Sequence, residues 1–181
     1  VTVEPDLSNA TPFLAAAVAT AGTVEVPHWP SSTTQAGAHV TEIMKKMGDQ
    51  GMFGCLAPEK FGGLELEYGH MAATLMAIEV ARISPSWGLP FNLQMNGPQN
   101  VLLKFGSEEL KEQFLPGLIA GTSGGCFAIT EANSGSDVAS MKTTATVVDD
   151  GFILNGSKTW ISGVPYCGCG VFYAMTDKAA K

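Results

Sequence analysis

"CFAITEANSGSDVASMKTTA" occupies residues 126–145 and holds the change of character on which the fold turns. It opens on an apolar run, breaks into small polar residues, and settles into Thr/Ala alternation. Gly135 lets the backbone approach a ligand closely, and Ser136 offers a hydroxyl. Successive N–H groups in such a turn can form a concavity for an anion. Thr130, at the end of the apolar run, places a second hydroxyl near the same point. Taken alone, Gly-Ser-Asp is an ordinary turn between strands. Downstream, "NGSKTWIS" (155–162) is a second small-residue turn, leading into a run that reads as a strand carrying Trp160, with Ser162 two positions on. A flat π-surface beside a hydroxyl suits a planar heteroaromatic ligand; it also suits plain sheet packing. Two such turns joined by a hairpin say more than either alone.

Before residue 122 the periodicity is helical. Thr11 stands where an N-cap belongs, Pro12 at the first helical position and Gly22 past the end, which predicts a helix between them. Val24 to Ser32 reads as loop. Val40, Ile43, Met44 and Met47 fall at helical spacing and Gly51 ends the stripe. Tyr68 to Ile83 is apolar almost all round, as expected of a helix inside something larger. Another helix is predicted after Pro98. Ser107 caps "EELKEQFL", and Pro116 should kink or stop it. Met44, Met47, Met71, Met76 and Met95 are read as core. After "GTSGG" the period becomes 2: "CFAIT", "KTTATVV", "FILN", "KTWIS" and "VFYAM" are strand candidates, with "DDG" and "NGS" as turns. The fold class is therefore α+β: an all-α helical domain over 1–122, then the first strands of an antiparallel β-barrel-like domain over 123–181. The strands stop early, so that sheet is expected to be incomplete.

The 181 residues carry a net charge of −7, with no Lys/Arg run, which argues against a nucleic-acid partner. With so few cations, an anionic ligand would be held by N–H groups and hydroxyls. The run "FLAAAVATA" (13–21) is too short to span a bilayer and lacks a basic flank, so no membrane span is expected. The four cysteines (Cys55, Cys126, Cys167, Cys169) fit no zinc spacing and no disulfide framework. His28, His39 and His70 are scattered. No metal site is assigned. A soluble intracellular protein is expected, cytoplasmic in a bacterium or of the mitochondrial matrix in a eukaryote.

The chain from Val40 to Asp177 resembles the acyl-CoA dehydrogenase family. The matching stretches are "KKMGDQGMFGCLAPEKFGGLELEY", "NGPQNVLLKFGSEELKEQFLPGLIAG", "CFAITEANSGSDVASMKTTA" and "GFILNGSKTWIS", in the family's order and spacing. The resemblance implies a helical N-terminal domain, a middle β-domain and a C-terminal helical domain that together hold FAD. It places Phe127, Ile129 and Thr130 along the isoalloxazine, with Thr130 donating toward its pyrimidine edge. Ser136, in the loop with Gly135, would bind the pyrophosphate, and Trp160 and Ser162 would flank the ring. The implied reaction is α,β-dehydrogenation of an acyl-CoA, with electrons leaving to an electron-transferring flavoprotein, in a homo-oligomer when complete.

Ala132 stands where the family usually has Pro, and Ser162 where many members have Thr. "NSGSD" and "SMKTTA" lean toward the glutaryl-CoA or cyclic acyl-CoA branches. No basic residue lies between Arg82 and Lys104 to hold a distal carboxylate, and Trp87 with Phe91 points to an apolar or cyclic acyl group. The C-terminal domain that usually carries the catalytic Glu is absent from the sequence. Glu131 and Glu65 are read as structural, no catalytic base is assigned, and this polypeptide alone is expected to be inactive. Two alternatives stand beside the dehydrogenase: a non-catalytic truncated relative acting as a binding or assembly module, and an acyl-CoA oxidase or flavin monooxygenase of the same fold.

Overall fold

The computed structural model of the protein describes residues 39–177. The helix expected at Thr11–Gly22, the loop at 24–32 and His28 lie outside them.

Helix α1, Val40–Asp49, forms where its stripe predicts. Met44 is buried, and Val40 and Met47 pack beside it. The outer face carries Lys46–Glu42 and Lys45–Asp49 pairs one turn apart. Helix α2 is Gly69–Ile83 and α3 is Pro85–Gln94. A π-helical turn, Met95–Gln99, leads into α4, Asn100–Phe105, and α5 is Glu108–Ile119. One apolar cluster joins Met44, Phe53, Phe91 and Met95, with the Phe53 and Phe91 rings 5.7 Å apart. The other joins Phe61, Leu102, Leu115 and Leu118. The two meet where α1 touches the end of α5 backbone to backbone. A Cβ at Gly48 would fall 2.0 Å from the Ala120 carbonyl oxygen, and one at Gly121 2.1 Å from that of Met44. Gly121 also has φ +67, so no other residue fits there without strain.

The helix expected after Pro98 is α4, and the chain is already helical before it: Pro98 lies inside the π-helical turn, where the non-helical Gly97 (φ −81, ψ −113) makes the kink. Two helical expectations are corrected. Pro116 does not stop α5, which continues to Ile119. A helix-interior proline costs about 3 kcal/mol. Burying Leu115 and Leu118 completely returns about 1.5–3 kcal/mol each. Finally, α2 is only half covered. Gly69, Ala73 and Val80 are buried, while Met71, Leu75 and Ile78 are 63, 58 and 55% exposed. The Ser107 cap forms as expected, accepting from the Leu110 N–H at 3.3 Å.

After α5 come β1 (Gly124–Ala128), β2 (Thr144–Val148), β3 (Gly151–Asn155) and β4 (Cys167–Phe172). The fold class is α+β, a helical part followed by short strands. β2 and β3 pair antiparallel around the Asp149-Asp150 turn, Thr144 opposite Asn155. The other pair differs from the antiparallel expectation: β1 and β4 run parallel, Cys126 opposite Gly170, because the whole hairpin and the 156–166 segment lie between them and form the crossover. No barrel closes among the described residues. The hairpin meets β4's continuation through Ala145 N–H to Met175 C=O and Met175 N–H to Thr143 C=O, both 2.9 Å. "KTWIS" is not a strand. Trp160 has φ +60, a left-handed conformation that breaks any ladder at that point.

Gln94 joins helices to strands. Its buried amide nitrogen donates to the carbonyls of Leu118 (2.7 Å) and Ser123 (2.8 Å), and its oxygen accepts from the Gly125 N–H at 3.0 Å. One side chain thus ties α3, the end of α5 and β1 together.

Candidate functional site

The apolar run ends at Ala128, and the next three residues are gripped from one side. Thr159 N–H donates to the Thr130 carbonyl at 2.9 Å. The Lys158 ammonium donates to the Ile129 carbonyl at 3.1 Å and to Glu131 Oε1 at 2.9 Å. The side chains of Lys158 and Glu131 are each only 8% exposed. Glu131 also accepts from the N–H groups of Lys142 (2.6 Å, Oε2) and Thr143 (2.9 Å, Oε1). The two small-residue turns therefore converge, and a buried ion pair sits at their junction.

The loop after Glu131 is built locally. Glu131 and Ser134 exchange backbone hydrogen bonds at 2.9 and 3.1 Å, and the Ser134 hydroxyl donates to the Asp137 carbonyl at 2.8 Å. That tight turn pushes Gly135 and Ser136 into solvent, and a Cβ at Gly135 would meet nothing within 4 Å. On the other side, Gly163 (φ +87) brings the end of the second turn against β1: a Cβ there would lie 2.8 Å from the Gly125 oxygen.

Phe127, Ile129 and Thr130 are half-buried; Gly135, Ser136 and Ser162 are exposed. Trp160 is 89% exposed. Phe127 has the Tyr173 ring beside it at 4.9 Å. The backbone bonds bring Ile129 and Thr130 to the segment carrying Trp160 and Ser162. Gly135 and Ser136 follow through the Glu131–Ser134 turn. Among the described residues, the hydroxyls of Thr130, Ser136 and Ser162 and the indole N–H of Trp160 make no hydrogen bond. Uncommitted donors and an exposed aromatic ring on two segments that are hydrogen-bonded to each other are the residue types that a flat ligand with polar atoms at its rim and an anionic tail needs. The residues present thus suit a dinucleotide such as FAD. A separate surface cavity of about 480 Å³ runs along Cys55–Pro58 and Glu65–Met71 and contains none of these residues.

The electrostatics exclude Glu131 as a base. The Thr143 hydroxyl beside it, the Lys142 N–H and the Lys158 ammonium hold its carboxyl down at about 2. It stays an anion with its lone pairs occupied. Glu65 accepts one exposed hydrogen bond, from the Glu59 N–H at 3.2 Å. Phe91, expected near an acyl group, is wholly buried in the helical core, and Trp87 packs against the same cluster. They support the fold and cannot report the substrate. Among the described residues no helix is long and apolar enough to cross a membrane.

Lys158 and Gln94 carry the assembly, and sequence reasoning passed over both. Lys158 had a faint signal, a lone cation beside a tryptophan in a run read as strand. Gln94 had none, since its three partners lie 24 to 31 residues further on.

The sequence model described as acyl-CoA dehydrogenase, N-terminal domain, matches residues 13–122, and that of the middle domain matches 126–181. The chain belongs to the acyl-CoA dehydrogenase family. It is 40% identical over 139 residues to a glutaryl-CoA dehydrogenase of Desulfococcus multivorans, covering 77% of this chain and 36% of that one. It is 42% identical over 138 residues to the mitochondrial isovaleryl-CoA dehydrogenase of Oryza sativa subsp. japonica, covering 76% and 33%. This acyl-CoA dehydrogenase chain therefore spans about a third of the length of these relatives. Its fold superimposes on a glutaryl-CoA dehydrogenase in complex with glutaryl-CoA with a TM-score of 0.74 at 33% identity, over 99% of this chain and 45% of that one. An acyl-CoA dehydrogenase from Bacillus anthracis complexed with FAD gives a TM-score of 0.68 at 26% identity, over 93% and 26%.

Proposed function

We propose that this chain is the flavin-holding N-terminal part of an acyl-CoA dehydrogenase, which binds FAD and, in the whole protein, catalyses α,β-dehydrogenation of an acyl-CoA. The observation that carries the reading is the pair of contacts from Lys158 and Thr159 to Ile129 and Thr130, which brings the two turns to one edge. FAD, when bound, would supply the two-electron acceptor for a hydride from the acyl β-carbon, while the α-proton would pass to a carboxylate base that is assigned to none of these residues. The chain's own residues bind and orient. The Thr130 hydroxyl donates to the rim of the ring, where fixed donors stabilise developing negative charge. Phe127 and Ile129 would lie along the ring, with Trp160 and Ser162 beside it. Ser136, beside the permissive Gly135, donates to the diphosphate. The division into a helical domain over 1–122 and an incomplete β-domain over 123–181 belongs to the same proposal, supported by the change from helices to strands after Ile119. So do the electron-transferring flavoprotein as electron acceptor, assembly as a homo-oligomer, and a cytoplasmic or mitochondrial-matrix location.

The purified 181-residue chain is dialysed against FAD and desalted. A yellow protein with a flavin absorption band and quenched flavin fluorescence is expected. A protein that remains colourless at FAD concentrations of about 100 µM, a range that detects even a weak site, overturns the reading that this chain holds flavin by itself.

A further inference from the structure

We infer that Lys158 and Glu131 are positioning residues that set the spacing between the Thr130 hydroxyl and the Trp160 ring, and so determine how tightly and in what geometry flavin is held. This inference rests on the flavin-binding reading above.

The pair joins three separate pieces of chain. Lys158 reaches the Ile129 carbonyl and Glu131; Glu131 reaches the N–H groups of Lys142 and Thr143. A buried ion pair is a poor means of gaining stability, since apolar residues of the same size do as well or better. What it supplies is direction. Lys158 and Thr159 fix the carbonyls of Ile129 and Thr130, and the Thr130 hydroxyl is left uncommitted.

The second observation is Trp160 itself, two residues beyond Lys158. Its φ of +60 is costly for a bulky L-residue, and such a conformation persists only where the surroundings over-determine it. Burial does not hold Trp160, which is 89% exposed. Its neighbours do. Lys158 and Thr159 are fixed to residues 129–131 on one side, and Gly163 is seated on Gly125 on the other. The strained, bare indole is thus carried at a fixed offset from Thr130, and Lys158 is the anchor closest to it in sequence that uses its side chain.

The test uses the full chain with Lys158→Met, Lys158→Arg and Glu131→Gln. Amide exchange at Lys142, Thr143 and Thr159 reads the clamp without any cofactor. FAD affinity and the visible circular dichroism of bound flavin read its consequence. Lys158→Met is expected to speed exchange at Thr159 and to weaken FAD binding, each about tenfold, and to change the flavin dichroism at saturating FAD. Lys158→Arg is expected to restore the dichroism in large part. Should Lys158→Met fail to fold, Glu131→Gln, which keeps the side-chain volume, carries the same expectations. A wild-type chain that binds FAD together with variants that bind it equally, with the same dichroism, overturns this inference alone. Unchanged exchange in the variants does the same. A wild-type chain that binds no FAD overturns the proposed function first, and this inference with it.

Discussion

Phe53, Phe91, Leu115 and Leu118 are wholly buried among the helices, whereas Val147, Phe152, Ile153 and Leu154 on the β2–β3 hairpin are each more than half exposed. The helical region excludes water from its apolar side chains and is held by packing. The strand region has little core of its own. It is held by backbone ladders, by glycines that permit close approach, and by one buried ion pair. The contrast separates two kinds of sensitivity. Changes in the helices should act through cavities and appear as lost stability. Changes around Glu131 and Trp160 should act through geometry and appear as lost binding.

The sharpest way to break the contrast is from the helical side. Phe53→Ala removes a ring with no exposed surface that packs against Phe91. It is expected to cost about 3–5 kcal/mol, read as a lower urea midpoint with an unchanged slope. A loss below about 1 kcal/mol would mean that the helical core is no better packed than the strands, and the contrast would fail.

Gln94→Ala tests the seam between the regions. It removes the partners of two carbonyls and one N–H. Each buried unsatisfied group costs about 1–3 kcal/mol, and some of the three regain water, so a total of about 3 kcal/mol is expected. Gln94→Glu sharpens the test. It keeps the acceptor for Gly125 but turns an oxygen toward the Leu118 and Ser123 carbonyls, so it should be at least as damaging as alanine.

The two regions were also unequally legible in the sequence. Helix α1 follows its apolar spacing, and the Ser107 cap with Glu108 and Glu109 in the first turn marks the start of α5 correctly. These features are written within a few residues of each other. Pro116 misleads as a stop signal because tertiary burial of Leu115 and Leu118 outweighs a local preference. Met71 misleads because an apolar helix face says only that something could cover it. In the strand region, "KTWIS" alternates like a strand, yet Lys158 turns inward to Glu131 and Trp160 takes a positive φ. A period of 2 does not encode which residue will find a charged partner 27 positions away. The quoted turns could be recognised as a pair, but their joint by hydrogen bonds through Lys158 and Thr159 could not.

Acid should act selectively on the strand region. The carboxyl of Glu131 is held down at about 2 from an ordinary 4.5. A depressed carboxylate contributes its full stability above the higher value, and the contribution is lost as pH falls through the lower one. Exchange at the Lys142 and Thr143 amides should therefore rise, relative to amides of α3, which carries no carboxylate, as pH drops from 4.5 toward 2 once intrinsic rates are divided out. In Glu131→Gln that selective rise should vanish, because no proton is taken up there. Equal loosening of both regions in the wild type would show that the ion pair does not set the strand region's acid response.

Trp160→Gly carries the smallest expected effect on stability and the most pointed one on the contrast. At φ +60 an L-residue stands about 1–2 kcal/mol above a right-handed conformation, a cost that glycine does not bear. Glycine gains unfolded-state entropy in return, worth about 0.4–1 kcal/mol against folding. With the indole 89% exposed, little apolar burial is lost. The terms nearly cancel, so the urea midpoint should move by less than about 1 kcal/mol equivalent, in either direction. FAD binding should nonetheless weaken about tenfold, because the aromatic face is gone while the chain around it is intact. A loss of about 2 kcal/mol or more in stability, beyond what the glycine backbone costs, would place Trp160 with Phe53 as a packing residue. Unchanged stability with unchanged FAD binding would leave its strained backbone without a function.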